Sequence, residues 1–570
     1  MPLSLFLLAT APMNGPMNGP MNGSWLPDQG NGTYRNPVLA GDYSDPDVIR
    51  VGDTFYLTAS SFTNVPGLPI LESKDLVNWT IIGHALPRNL PDAHYLVPRR
   101  GAGVWAPAIR HHDGRFMIYY PDPDYGIFVV TATDAHGPWS EPVLVDDTKG
   151  GIDPAPFWDD DGTGWLIKAF AGSRAGFNNV LELRQLDAAG TKAIGAPIRV
   201  VDGSVLPPAM TSRGPMPWFT LEGPKLYKRG GWYYIFAPAD SVKGGWQGVL
   251  RSRNITGPYE GRDVLDQGPT DVNGPHQGAW VEDVAGKSWF VHFQDADAYG
   301  RRVFLEPMRW GPNGWPMIGA DPDGNGIGEP VIVHAKPASR AVQAPTSPAT
   351  NDEFDGASLG VQWQWNANPQ SDWASLSAAP GSLRLKAISS PVNLWNAGAV
   401  LTQKLPDPQF TVTTQLQFAP QAIGERAGLV MFGRSYGWIG LEKTSAGVRL
   451  VQVTREDADH DGPERIEVAL APAPASIWLR FAVEPLNQPA PPPGFSPYWP
   501  SMLRVQNAAV RFSYSLDGVR FEPVGSGFVA RQGQWVGAQM GLFAQAPSES
   551  PAFSAYRVGW ADFANFSVTK

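Results

Sequence analysis

Short apolar strands separated by polar glycine turns recur along the first half of the chain. Five copies of one pattern, an apolar strand, a polar turn and an aromatic-rich strand, begin at Asp45, Ala106, Asp153, Glu222 and His276. Repeats of a few tens of residues are typical of folds that repeat one supersecondary unit. The pattern predicts an all-β chain whose first domain is a five-bladed β-propeller.

The residue that opens each copy has a common place in such a fold. Equivalent strand ends of a propeller converge around one axis. Three of the opening residues, Asp45, Asp153 and Glu222, are acids, and each is followed within two residues by proline. We therefore expect two or three carboxyl groups to share one cavity.

Carboxyl groups in one low-dielectric pocket repel each other, and this repulsion raises the pKa of at least one of them. The result is an acid beside a base at neutral pH, which is the pair that hydrolysis of a glycosidic bond requires. The alternative is that these acids are ordinary turn residues that accept bonds from backbone amides. Three acids at one phase of the repeat favour catalysis.

Four further residues are candidates for contact with a sugar. His276 could tune the carboxylates, bind hydroxyls, hold a cation, or be a hydrogen-bonded structural histidine. Trp105 precedes the second copy and Phe62 follows the first, so both could face the axis and stack on a sugar ring. Arg301 offers a forked donor to hydroxyls, with a surface salt bridge as the alternative.

The second half of the chain has short alternating strands with turns between them, which predict a β-sandwich. A segment rich in Pro, Ala, Ser and Thr separates the halves. The predicted divisions are a tail over 1–33, a propeller over 34–336, a linker over 337–351 and the sandwich over 352–570. One proline-rich interruption, Asn487 to Met502, is our candidate for a lid over the funnel.

The N-terminal run Leu3 to Ala11 is apolar and ends in an Ala-x-Ala pattern, as secretory signals do. No Lys or Arg precedes it, and it is too short to span a bilayer. Three Pro-Met-Asn-Gly copies follow over 12–23, and their composition is too poor in apolar mass to fold. The protein is expected to be periplasmic or secreted if this run is a signal, and cytoplasmic otherwise.

Composition narrows the class of ligand. The net charge of −10 disfavours a nucleic-acid or anionic-membrane partner, because both bind clustered Lys and Arg. A neutral ligand fits better. The absence of cysteine from the sequence excludes disulfides, thiolate metal sites and cysteine nucleophiles. No feature of the sequence predicts an oligomeric state.

Several motifs in combination resemble glycoside hydrolase family 43 over the whole first domain. They are the run from RNPVLAGDYSDPDVIRV to ESKDLVNW, then GVWAPAIR, GGIDPAPFWDDDG, TLEGPKLYK and NGPHQGAWVED. The second domain, from DEFDGASLGVQWQWNANP onward, resembles the concanavalin-type sandwich that follows the catalytic propeller in family 43 β-xylosidases. The resemblance covers nearly all of the chain after the tail.

This resemblance implies a role for each matching residue. Asp45 corresponds to the general base, Glu222 to the general acid, and Asp153 to the carboxylate that orients the acid and raises its pKa. Arg301 corresponds to an arginine that contacts the terminal sugar. His276 matches a position that in some members lies near a hydrated calcium, which implies a structural calcium here. The implied hydrolysis requires no cofactor.

The implied activity is an inverting exo-β-1,4-xylosidase, with α-L-arabinofuranosidase activity as an addition. Its expected substrates are xylo-oligosaccharides or arabinose-substituted oligosaccharides, cut at the non-reducing end. An inverting pair is expected to hold its carboxyl groups about 6.5–9.5 Å apart. Two alternatives stay open, a dedicated α-L-arabinofuranosidase and a non-catalytic carbohydrate-binding propeller.

Overall fold

The computed structural model of the protein describes residues 26–486, 506–548 and 558–570. Five four-stranded antiparallel sheets follow one another along the first domain, and the strand order within each sheet is the chain order. The first strands of neighbouring sheets lie side by side around one axis. The predicted five-bladed propeller is therefore confirmed, and the opening residues of the repeat lie at its centre.

The strands of the blades have the following bounds, given from the axis outward. Blade 1 is Asp47–Val51, Thr54–Thr58, Gly67–Ser73 and Thr80–Leu86. Blade 2 is Ala108–His112, Arg115–Asp122, Gly126–Ala132 and Val143–Asp146. Blade 3 is Gly151–Trp158, Gly164–Phe170, Val180–Leu186 and Ala193–Asp202. Blade 4 is Lys225–Arg229, Trp232–Ala239, Trp246–Ser252 and Glu260–Leu265. Blade 5 is His276–Glu282, Ser288–Asp295, Arg301–Trp310 and Pro316–Ile318.

Helical structure in the described residues is limited to short turns. One α-helical turn spans Gly172–Ala175, and 3₁₀ turns span Asp92–Leu96, Asp297–Tyr299, Leu394–Asn396 and Ala458–His460. A small hairpin pairs Ala209–Thr211 with Gly214–Met216. No helix in the described part of the chain is long and apolar enough to cross a membrane.

The two ends of the propeller domain are tied together by a short pair of strands. Thr33–Arg35 pairs antiparallel with Val333–Ala335. Asp28 also packs here, because its carboxylate accepts a bond from Asn78 Nδ2 at 2.8 Å and pairs with Lys336. Residues 26–33 thus belong to the folded domain, earlier than the sequence suggests, whereas the predicted signal and the Pro-Met-Asn-Gly copies lie outside the described residues.

The aromatic side chains of the second strands fill the space between blades. Phe236 of blade 4, for example, stacks against Trp280 and Phe290 of blade 5, with ring centroids 6.3 and 5.9 Å away. Aromatic pairs at such distances are worth about 0.5–1.5 kcal/mol beyond the area that they bury. These aromatic contacts therefore help to hold blades 4 and 5 together.

The second domain is a sandwich of two mainly antiparallel sheets around one apolar core. One sheet contains Gln364–Trp365, Val400–Lys404, Gln539–Pro547, Arg426–Phe432, Tyr436–Thr444, Gly447–Arg455 and Glu464–Leu470, with Ile388–Ser390 beside Gln539–Pro547. The other contains Ala374–Ser375, Leu383–Lys386, Trp560–Thr569, Phe410–Ala419, Ser476–Pro485, Ala508–Ser515 and Glu522–Ala530. The predicted sandwich is confirmed.

The segment predicted as a linker has no strand and lies against blade 1. Its Thr346 N–H donates to Asn78 Oδ1 and its Gln343 side chain donates to the Asn78 carbonyl, both at 2.9 Å. The two domains also meet directly, since the backbones of Val65 and Trp365 exchange two hydrogen bonds. The predicted lid, 487–502, lies outside the described residues.

Candidate active site

Two of the three acids have an unusual backbone conformation: Asp45 lies just before the first strand of blade 1, and Asp153 lies at a register shift within the first strand of blade 3. Asp45 has φ of 55° and Asp153 has φ of 54°. Left-handed conformations are uncommon outside glycine, and aspartate is among the residues that tolerate them. Such outliers persist where the surroundings hold them, often at functional sites. Here both carry a buried carboxyl group toward the axis, with Asp45 6% and Asp153 1% exposed.

Asp45 is held by three donors. Its Oδ2 accepts hydrogen bonds from Ser44 Oγ at 2.7 Å and Ser60 Oγ at 2.5 Å. Arg301 Nη1 lies 3.2 Å from Oδ1 and also donates to Ser44 Oγ at 2.7 Å. Arg301 is itself buried, so it belongs to this site and is not part of a surface salt bridge.

Asp153 connects to the backbone that carries Glu222. Its Oδ2 accepts a hydrogen bond from the Gly223 N–H at 2.7 Å, and Gln277 Nε2 lies 3.5 Å from the same oxygen. Gly223 has φ of +60°, and a Cβ there would lie 2.8 Å from the Gln277 side chain. Burial raises the pKa of Asp153 to about 7, the Gly223 N–H acts against this rise, and the Asp45 charge adds to it.

Glu222 is the most accessible of the three acids, with 22% of its side chain exposed. Burial and the nearby charges of Asp153 and Asp45 raise the pKa of Glu222 well above its ordinary value, while Arg301 acts in the opposite direction. The raised pKa of Glu222 favours its protonated form, and it lies in the same pocket as the Asp45 carboxylate, which is paired with Arg301. This is an acid and a base in one pocket.

His276 lies against Glu222, with its Nε2 3.7 Å from Glu222 Oε1. It is fully buried, and neither ring nitrogen makes a hydrogen bond of regular geometry with the protein. Burial and the Arg301 charge lower the pKa of His276 to about 4, so the ring is neutral at neutral pH. The interpretation as a satisfied structural histidine is therefore not supported by its contacts.

The described residues contain no cluster of three or more His, Asp or Glu side chains that could hold a metal ion. At the axis, the His276 ring nitrogens make no hydrogen bond of regular geometry, although the Asp240 backbone lies close to the ring. Calcium takes 6–8 oxygen ligands. A calcium ion beside His276 therefore fits only as a hydrated ion, whose ligands are water molecules.

Phe62 and Trp105 lie together at the mouth of the pocket. Their rings meet edge to face with centroids 6.4 Å apart, and the Trp105 Nε1–H donates to the Gly101 carbonyl at 3.1 Å. Phe62 is buried and Trp105 is partly buried, so Trp105 is the better placed to touch a ligand.

The sandwich adds a third aromatic residue that the sequence analysis did not identify. The Trp535 ring lies 6.2 Å from that of Trp105, and the Arg301 guanidinium carbon lies 5.9 Å from the Trp535 centroid. Trp535 is 45% exposed. Its large exposed face completes an aromatic wall beside the carboxyl groups.

A single carboxylate, that of Asp42, links this sandwich segment to Arg301. Asp42 Oδ2 accepts a bond from the Gly537 N–H at 2.9 Å, and its Oδ1 accepts one from the Arg301 N–H at 2.8 Å. Glycine is required at 537 because a Cβ would lie 2.5 Å from the Gly300 nitrogen. The domain interface therefore positions both Trp535 and Arg301. In the sequence, only the glycines around Trp535 indicate this close contact between the domains.

A five-bladed propeller whose axis gathers three acids, two of them buried and the third with a raised pKa, defines a glycoside hydrolase. The family model for glycosyl hydrolases family 43 matches residues 34–316, and the model for the β-xylosidase C-terminal concanavalin A-like domain matches 351–490 and 497–569. The chain belongs to glycoside hydrolase family 43.

Known relatives agree with this membership. A β-xylosidase of Formosa agariphila is 31% identical, covering 92% of this chain and 90% of the relative. The non-reducing end α-L-arabinofuranosidase BoGH43B of Bacteroides ovatus is 30% identical, covering 75% of this chain and 79% of the relative. The crystal structure of a mutant of the GH43 protein BlXynB of Bacillus licheniformis superposes with a TM-score of 0.76 at 25% identity, covering 94% and 99% of the two chains.

Proposed function

We propose that the protein is an inverting exo-β-1,4-xylosidase that releases xylose from the non-reducing ends of xylo-oligosaccharides. The observation that carries this proposal is Glu222, whose pKa is raised, in one pocket with Asp45, which is paired with Arg301. The β-xylosidase and arabinofuranosidase names of the relatives support a pentose in the pocket.

In this mechanism Asp45 takes a proton from a water molecule, whose oxygen attacks the anomeric carbon. The bond from that carbon to the leaving oxygen breaks on the opposite face of the sugar, and Glu222 donates its proton to that oxygen. Asp153 orients Glu222 through the Gly223 N–H and adds to the rise in its pKa. Arg301 and the aromatic wall hold the terminal sugar.

Exo cleavage requires a pocket that is closed on one side, and the sandwich supports such closure. Trp535 and the Gly537 contact bring the second domain to the edge of the funnel. A pocket that is blocked on one side accepts the end of an oligosaccharide and excludes its internal residues. Release of xylose alone from xylohexaose supports exo action, whereas early internal fragments contradict it.

We also propose that a hydrated calcium ion lies against His276, whose unbonded nitrogens support it. When bound, such an ion supplies positive charge near the carboxyl groups. Its direct test is thermal unfolding after chelation, with and without added calcium, because binding to the folded state raises the melting temperature. A melting temperature that calcium does not change contradicts the ion.

The activity itself is tested with purified protein and xylobiose, followed by proton NMR before the product mutarotates. Early α-xylose is expected, because inversion converts the β-linkage to the α-anomer. Early β-xylose overturns the inverting mechanism. If the protein hydrolyses an aryl arabinofuranoside but not xylobiose, it is a dedicated arabinofuranosidase. If it hydrolyses neither substrate, it is a carbohydrate-binding module.

Asp153→Asn is expected to move the alkaline limb of the kcat/KM profile to lower pH by about one unit. The Asp153 charge raises the pKa of Glu222, so its removal lets Glu222 lose its proton at lower pH. Activity that depends on protonated Glu222 is then lost earlier as the pH rises. Asp187→Asn, which changes a partly buried aspartate in the outer turn of the same blade, is the control. An unmoved or raised alkaline limb contradicts the coupling.

Trp535→Ala is expected to raise KM for xylobiose roughly 5- to 30-fold while kcat changes less, because stacking of about 1–2 kcal/mol acts on bound substrate. Trp478→Ala removes a partly buried tryptophan elsewhere in the sandwich and serves as the matched control. The check is to measure KM and kcat of both variants by steady-state kinetics. Equal changes in the two would mean that the sandwich contributes stability only.

A further inference from the structure

A second funnel opens at the opposite end of the propeller axis from the acids. The first strands of all five blades line this lower funnel, which has a volume of about 520 Å³. Four partly buried aromatic residues form most of its wall: Phe157, Trp158, Tyr227 and Trp280. Phe157 lies four residues beyond Asp153 on one strand, so at about 3.3 Å per residue the two lie roughly 13 Å apart.

Buried side chains occupy the axis between the two ends. Arg110 Nη1 lies 2.6 Å from Asp47 Oδ2, and Asp47 is completely buried. Lys225, 2% exposed, lies close enough to this pair and to Asp153 for their charges to interact. A ligand in the lower funnel is therefore separate from one beside the catalytic acids.

Most charges at the rim of the lower funnel are paired, while Arg50 donates to the Glu282 and Gly52 carbonyls. Lys228 pairs with Asp159 and lies 2.8 Å from Asp160, and Arg229 lies 3.8 Å from Glu282. The cavity therefore presents no excess of one sign that would attract an anion. Its polar rim and aromatic wall suit a neutral ligand that has both apolar faces and hydroxyl edges.

The aromatic wall is held in place before any ligand binds. Trp158 stacks on His112 with ring centroids 4.0 Å apart and planes at 11°. Tyr227 Oη accepts a hydrogen bond from the backbone N–H of Trp280 at 3.0 Å, and the two rings meet edge to face. Fixed rings lose little freedom on binding. The volume also falls in the range of ligand pockets, roughly 300–1,000 Å³.

We propose that the lower funnel is a second carbohydrate site that binds a neutral oligosaccharide of the xylan type. Sugar rings present apolar C–H faces to aromatic rings and hydroxyls to a polar rim, which is the chemistry that this funnel offers. The proposal rests on the proposed function only for the class of sugar. Binding here keeps the enzyme on a polysaccharide while the acids at the other end remove terminal residues.

The test is native gel electrophoresis of the full chain through gels containing soluble neutral xylan, with Glu222→Gln to prevent hydrolysis. Retardation of this parent is expected. Adding Trp158→Ala or Phe157→Ala is expected to weaken the apparent affinity at least fivefold, whereas Trp478→Ala in the sandwich leaves it unchanged. Circular dichroism checks folding, and Ile49→Trp, which narrows the funnel without removing a wall residue, is expected to weaken binding in the same way.

Two results overturn the proposal: no retardation of the parent, or retardation that none of the funnel substitutions changes. Hydrolysis of xylobiose by the unmutated protein is measured separately. Retardation through the funnel without hydrolysis contradicts the proposed function and leaves the second site in place. Hydrolysis without retardation contradicts the second site alone.

Discussion

Glu222→Gln is expected to lower kcat/KM on xylobiose by roughly 10²- to 10⁴-fold, the usual contribution of acid catalysis. Gln has nearly the same size but no proton to donate, so binding changes little while the leaving oxygen departs unprotonated. An aryl xyloside with a good leaving group needs no such proton. Most of the rate on that substrate is therefore expected to survive, and the ratio of the two losses is the decisive quantity.

The matched control is Glu260→Gln, which changes an exposed glutamate on the outer strand of the same blade. It is expected to leave both rates unchanged. Equal losses on xylobiose and the aryl xyloside for Glu222→Gln would refute the role of Glu222 as acid. The aryl xyloside thus separates a lost proton donor from a distorted pocket.

The same substitution has an expected effect on stability. The folded-state pKa of Glu222 is raised, so above the unfolded value of about 4.3 the folded state binds more protons than the unfolded state. Stability in the parent therefore falls as the pH rises through the window between the two values. Glu222→Gln removes this penalty, and its melting temperature is expected to exceed that of the parent by about 1–3 °C at pH 8 but not at pH 4.

Asp45→Asn is expected to lower kcat/KM by roughly 10²- to 10⁴-fold on both substrates. Water must be activated whichever group leaves, so a better leaving group does not compensate for a missing base. Measuring xylobiose and the aryl xyloside side by side gives equal losses here and unequal losses for Glu222→Gln. Substantial turnover of either substrate by Asp45→Asn contradicts the assignment of the base.

Folding must be checked for Asp45→Asn, because the carboxylate pairs with the buried Arg301. Removing one partner of a buried ion pair costs about 3–5 kcal/mol. Ser60→Ala is the companion variant, since it deletes one donor to Asp45 and keeps the charge. Its activity is expected to fall by roughly 10- to 100-fold at most, because one hydrogen bond to a charged group is worth about 1.5–3 kcal/mol. Similar losses in both variants would point to disorder of the pocket.

The repeat made the propeller predictable. Alternation of apolar and polar residues is a local property, and five copies in phase fix both the number of blades and the residue at the inner end of each first strand. Asp45, Asp153 and Glu222 could be named for this reason. His276 was found in the same way, at the same phase of the fifth copy.

Contacts made across long separations in sequence could not be predicted. Trp535 reaches the pocket from the sandwich, and Asp42 reaches it from the segment before blade 1. Ser60, which follows a strand, and Gln277, which lies within one, bond to the acids from positions that carry no distinctive pattern. Each depends on how blades and domains pack, and packing sums many weak contacts that no local pattern encodes.

By itself the sequence determined the fold class, the two domains and the acids of the site, because strand periodicity and repeat phase are written in consecutive residues. Only the tertiary structure decided how the acids differ. Burial and mutual charge raise the pKa of Glu222, while Arg301 pairs with Asp45. Both effects depend on which groups the fold brings within a few ångströms of each other.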